Sequence, residues 1–270
     1  MKLRSLHLWV LTFLIVAGAA LYQRMTGPTY PVRGSIRVGG NEIRFRLPRS
    51  SDSAGNQEIR LTAPDARIGG IIETRRFPTD DPWERHDLVR QGDDLIGAIP
   101  HQPPAGKVTY RIYLYGGADP KWITPEPVVL RFKGAVPGFI MAPHIILMFL
   151  AMWLSTRAGF EALLKRPNLF KMTLWTVVTL TLGGLILGPV VQKLAFGSYW
   201  TGWPFGQDLT DNKTVTAWLF WVLALWRVRK RPDATGWAVA ASIILFLVYM
   251  IPHSVLGSEL DYSKTSPPGV

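Results

Sequence analysis

The sequence contains no cysteine. That absence excludes disulfides, thiol catalysis and thiolate metal sites together, so any exported part of the chain must be held by its own hydrophobic core. Charge is also scarce: 18% of the 270 residues are charged against 48% hydrophobic, with 11 tryptophans, too apolar a balance for an ordinary soluble enzyme. Long apolar runs are missing between Gly27 and Lys133. No Gly-x-Ser-x-Gly, His-Glu-x-x-His, phosphate-binding loop or dinucleotide fingerprint occurs. No catalytic residue is therefore assigned.

Apolar residues cluster in five uncharged runs: Leu6 to Tyr22, Phe139 to Leu154, Met172 to Val191, Thr214 to Trp226 and Thr235 to Ile251. Each is about the length that crosses roughly 30 Å of hydrocarbon, the fourth only when its polar first turn is counted as helix. The first run, after Met1 to Arg4 and with the small residues Ala17, Gly18 and Ala19, fits either an uncleaved anchor or a cleavable signal peptide. In both cases the segment that follows lies outside.

The net charge of +11 follows this topology. With a cytoplasmic N-terminus, the inner segments, including a loop holding Arg157, Glu161, Lys165, Arg166 and Lys171, carry 10 basic and 2 acidic residues. The outer loop and C-terminal tail carry 3 basic and 4 acidic, and the other 17 basic and 13 acidic residues lie between Arg24 and Lys133. This is the positive-inside asymmetry, so the basic pI reflects orientation, and nucleic acid is excluded as a partner in favour of the lipid bilayer.

From Pro31 to Lys133 the apolar period is two. Ile43, Phe45 and Leu47 alternate with Arg44 and Arg46, and Val108, Tyr110, Ile112 and Leu114 alternate with Thr109, Arg111 and Tyr113. Val38-Gly-Gly-Asn41 and Gln91-Gly-Asp-Asp94 read as tight turns. About seven short strands at this spacing predict an immunoglobulin-like sandwich, with Tyr110 buried and its hydroxyl tied back to backbone. The expected fold is thus a membrane α-helical bundle of five transmembrane helices with an inserted all-β immunoglobulin-like sandwich. Its parts are an anchor at 1–26, an extracytoplasmic domain at 27–135 and a four-helix membrane domain at 136–270.

Polar residues at the outer border are the candidates for chemistry. Asp208, Asp211, Asn212 and Lys213 open the fourth span; they read as helix caps or, with Glu259 and Asp261, as a polar site over a shared pocket. Met141-Ala-Pro-His144 opens the second span and Met250-Ile-Pro-His253 closes the fifth, so the topology brings both histidines toward the outer face. Imidazole with the thioethers of Met141, Met148 and Met250 suits Cu(I), and two facing histidines suit haem. The bland alternative is a histidine bonded to a carbonyl beside gap-filling methionines. Gly184-x-x-x-Gly188 reads as a helix-packing face.

The segments Trp200 to Lys213, Ile251 to Tyr262 and Pro100 to Lys107 resemble those of bacterial multi-pass membrane proteins with this layout, a group to which no activity is attached. The resemblance implies a bacterial envelope location. The expected role is an accessory or assembly protein of the cytoplasmic membrane. Its sandwich would engage an envelope protein or glycan, with Trp83 and Trp122 as contact points. The alternative is a redox, metal or haem-handling protein using His144 and His253.

Overall fold

The computed structural model describes residues 5–52, 54–116, 120–252, 257 and 259–263, and among them five helices and eleven short strands form. The described residues divide into two compact units. Thr29–Ala135, Ala195–Gly197 and the described residues from Glu259 onward make the β unit, and the rest make the helical unit.

The helices are α1 (Ser5–Thr26), α2 (Gly138–Leu163), α3 (Leu169–Phe196), α4 (Leu209–Lys230) and α5 (Thr235–Met250). Of these, α1, α2 and α3 are each long and apolar enough to cross a membrane, and α5 is apolar but shorter. Alanines 151, 158, 217, 224, 238 and 241 are buried at the helix contacts, around the fully buried Trp221. Such small residues let backbones approach: a Cβ on Gly159 would stand 2.6 Å from Ser242 Oγ, fixing the crossing of α2 and α5. Polar side chains within the helices turn back onto their own backbone, as when the hydroxyls of Thr156, Thr173 and Thr176 donate to carbonyls four residues earlier.

Two expectations change here. Arg157 and Glu161 do not lie in a loop after a helix ending at Leu154; α2 continues to Leu163 and holds both, ion-paired one turn apart and almost wholly buried. Each neutralises the other, which lets the helix run on past the first charge, and because one cation and one anion leave the loop together its net charge is unchanged. The tight packing on α3 is centred on Gly183 and Gly184 more than on the pair Gly184 and Gly188. A Cβ on Gly183 would meet Leu147 Cβ at 2.9 Å and one on Gly184 would meet Thr214 at 2.8 Å, whereas Gly188 has only ordinary contacts. Gly183 and Gly184 lie in a wider π-helical stretch, Thr181–Leu187.

In the β unit the strands are β1 (Val32–Val38), β2 (Asn41–Leu47), β3 (Ser50–Ser51), β4 (Gln57–Thr62), β5 (Gly69–Phe77), β6 (Glu84–Asp87), β7 (Val89–Gln91), β8 (Asp94–Ile99), β9 (Lys107–Tyr115), β10 (Lys121–Trp122) and β11 (Val128–Phe132). They form a β1-β2 hairpin, a sheet ordered β3-β11-β9-β5-β6 with β10 on β9, and a β4-β8-β7 sheet. The β1-β2 turn is made by Gly39 and Gly40 at φ of 58° and 82°, a conformation open to glycine. Period-two alternation puts Ile43, Leu47, Ile59, Ile72, Leu95, Ile112 and Leu130, from all three sheets, in one core. Tyr110 is fully buried in it, and its hydroxyl donates to Pro48 O at 2.8 Å. Burial pushes that phenol far above its ordinary range, outweighing the opposing pull of the Arg49 charge, so it stays a donor.

Candidate functional site

Residues 197–208 connect α3 to α4, and the first turn of α4 folds that loop. Asp208 is the N-cap, its carboxylate accepting from the Thr210 amide at 2.8 Å. Asp211 Oδ2 accepts from the amides of Thr201 (2.7 Å) and Gly202 (2.9 Å) and from Gln192 Nε2 (3.1 Å). Asn212 Oδ1 accepts from the Trp203 amide at 2.7 Å. Lys213 Nζ donates to Ile251 O at 2.7 Å, one residue beyond α5. Four of the six candidate outer-face residues therefore converge, with Asp208, Asp211 and Lys213 buried, and the bonds above tie them to backbone amides, to the Gln192 side chain and to a carbonyl. Glu259 and Asp261 belong to the β unit, where Glu259 pairs with Lys107 and Asp261 accepts from Ser263.

His144 sits on α2 with Nδ1 2.9 Å from the carbonyl of Gly183 in the π-helical stretch. A carbonyl only accepts, so Nδ1 carries the proton and Nε2 keeps its lone pair. Met148 fills the space beside Gly183 and Gly184, with Sδ 3.2 and 3.5 Å from where their Cβ atoms would stand. Met141 is half-buried and Met250 is the last residue of α5. His253 lies outside the described residues. Among the described residues, no three or more His, Asp or Glu side chains gather as a metal-ligand group.

The β unit carries a different arrangement. On the outward face of β5 and β9, Arg111 lies between two tryptophans, its guanidinium 4.5 Å from the Trp83 ring centroid and 4.3 Å from that of Trp122. Arg75 covers Trp83 at 4.8 Å, and Tyr113 meets Trp122 edge-on at 5.1 Å. Glu73, opposite Arg111 in the ladder, accepts from its Nε at 2.7 Å. The result is a continuous stack, Arg75, Trp83, Arg111, Trp122 and Tyr113, with Trp122 37% exposed and Tyr115 exposed further along β9. Such a surface offers flat apolar faces beside fixed cations, which suits planar, sugar-like or anionic groups.

The Arg157–Glu161 pair, which the sequence reading took for loop charge, is the most deeply buried ion pair among the described residues. Arg157 also reaches Ser5 Oγ at 3.4 Å and the Trp9 ring at 5.2 Å on α1. Its signal was available: opposite charges four apart between apolar residues mark a helix face. Comparison of the chain with protein-family models, with curated proteins and with solved structures returned no match.

Proposed function

We propose that this chain is an accessory or assembly protein of the bacterial cytoplasmic membrane, with five spanning helices and an extracytoplasmic immunoglobulin-like sandwich that engages another envelope component, a protein or a glycan. The observation that carries the reading is the stack of Arg111 between Trp83 and Trp122 on an open sheet face. Large aromatics and arginine on a rigid strand pair are what binding hot spots are made of, and they are not used to fill the core.

The path of the chain supports the five-span topology. Within the β unit, Gly134 N donates to Ala195 O at 2.8 Å and Arg131 covers the Phe196 ring at 4.0 Å, so the last residues of α3 belong to that unit. Residues 259–263 return to it again: Tyr262 Oη accepts from Lys107 N and donates to Lys107 O, both at 2.9 Å. Helices α2 with α3, and α4 with α5, then make two out-and-back hairpins. The 22 and 16 residues of α4 and α5 give about 33 and 24 Å for the second. The sandwich reading is favoured by the shared core and by the Tyr110 tie to Pro48.

The test is recovery of a companion. Full-length protein extracted from its native membrane after cross-linking should carry a stoichiometric protein or glycan, and Trp122→Ala and Arg111→Ala should release it while the unfolding temperature stays within a few degrees. No companion, or one retained by both variants, ends the proposal. A Soret band or stoichiometric copper in the same preparation would favour the metal reading through His144 instead.

A further inference from the structure

At the turns joining α2 to α3 and α4 to α5, the helical unit forms an open cavity of about 600 Å³. Lys165, Arg166 and Arg229 line one part of it, and Leu169, Phe170 and Val228 line another. The side chains of Lys165 and Arg229 come from different turns, and neither has an ion-pair or hydrogen-bond partner among the described residues. Asp233 is the one carboxylate on the lining, and it forms no salt bridge with them. Helix C-termini attract cations in any case, and that alone would account for a single lysine or arginine. It does not require two from separate helices to border the same space.

The backbone at Lys165 sharpens the point. Helix α2 ends in paired bonds, Lys165 N to Ala162 O at 3.3 Å and Arg166 N to Glu161 O at 2.9 Å. That geometry needs a left-handed residue between them, and Lys165 supplies it with φ of 48°. Glycine is the usual occupant of this position because it has no Cβ to clash. The chain instead keeps a lysine there, in a costly conformation, with its charge at the cavity rim.

We propose that this cavity binds a phosphate-bearing anion, held by Lys165 and Arg229 against an apolar floor. Lys165 and Arg229, neither ion-paired with Asp233, can neutralise the single negative charge of a phosphodiester, and the apolar floor takes the carbon chain attached to it. The source is either the headgroup of an anionic phospholipid or free phosphate. The proposed topology bears only on the first, since it puts these turns at the cytoplasmic leaflet, and a reporter fusion tests it separately.

The experiment uses the full chain in a non-ionic detergent, titrated at fixed ionic strength with phosphatidylglycerol, with phosphatidylcholine and with inorganic phosphate, and bound species are counted by native mass spectrometry. The wild type should take phosphatidylglycerol about tenfold more tightly than phosphatidylcholine. Lys165→Gly and Arg229→Gln should each weaken that binding about fivefold. Lys171→Gln, a neighbouring exposed cation outside the cavity, should leave it unchanged. Lys165→Gly is also the structurally safe variant, because glycine is at ease where Lys165 is strained, so its unfolding temperature should not fall. Phosphate binding that depends on Lys165 and Arg229, without preference between the lipids, would support the site and identify free phosphate as its ligand. Loss of neither lipid nor phosphate binding in both variants, an equal loss in Lys171→Gln, or no binding by the wild type would overturn the proposal.

Discussion

Two arginine–glutamate pairs, one in each unit, show how the same chemistry serves opposite ends. Arg157 and Glu161 are 2% and 1% exposed and lie one turn apart on a single helix. Among the described residues, Arg157 Nε and Nη1 and Glu161 Oε2 find no partner. Arg111 and Glu73 are 34% and 14% exposed and pair across two strands, with a tryptophan on either side of the guanidinium. The first pair is committed to the interior, where desolvation makes each charge depend on the other. The second keeps one side available to solvent and therefore to a partner. Burial separates what holds the molecule together from what it can offer.

The largest effect should come from separating the buried pair. Arg157→Leu or Glu161→Leu alone strands a charge in an apolar bundle, and we expect a loss of about 3–5 kcal/mol in unfolding of the detergent-purified chain. Replacing both by Met and Leu should recover most of that loss. Single variants no worse than the double would mean that the pair is hydrated, and the contrast between the two units would collapse.

A smaller effect is expected on the sheet. Arg111→Ala removes two cation–π contacts near the surface, each about 0.5–1 kcal/mol, and a partly exposed ion pair with Glu73 of at most about 1 kcal/mol, so stability should fall by no more than about 3 kcal/mol by chemical denaturation. A loss as large as that of Arg157→Leu would make the stack a structural element and deprive the proposed function of its main support.

The smallest effect is a pH dependence. Arg76, bonded to Asp81 at 2.6 Å, holds that carboxyl below the usual carboxylate range, with Thr79 assisting. A carboxyl depressed in the folded state stabilises it above the unfolded pKa of about 3.9, and the contribution disappears as pH falls through the folded value. The wild type should thus lose stability relative to Asp81→Asn only below about pH 4, in paired thermal melts. A gap closing near neutral pH would point to another group.

These contrasts were unequally visible in the sequence. Helices and strands were legible because their periods are local: Ile43, Phe45 and Leu47 face one way whatever pairs with them. The cap at Asp208 was legible for the same reason, since the amide that donates to it lies two residues away. Arg157 and Glu161 were misplaced because a span was ended at its first charge, while the pairing that removes the charge lies one turn beyond. The stack was half visible. Trp83 and Trp122 could be named as contact points, but their meeting across Arg111 depends on strand register, with Trp122 opposite Tyr113 and Arg85 opposite Glu73, which no local pattern states. The role of Asp211 was hidden likewise, because the amides it accepts from belong to a loop ten residues earlier.

The π-helical stretch in α3 has a consequence for direction. Such a turn takes up one residue more than an α-helical turn, and one residue corresponds to about 100° of rotation around the axis. The two halves of α3 are therefore out of phase: Gly183 and Gly184 are aimed at α2 and α4, while Gln192, two turns later, reaches the loop carboxylate of Asp211. Deleting a single residue between Thr181 and Leu187 would restore a regular α-helix and swing Gln192 away from Asp211, although every side chain on either side of the deletion would be unchanged.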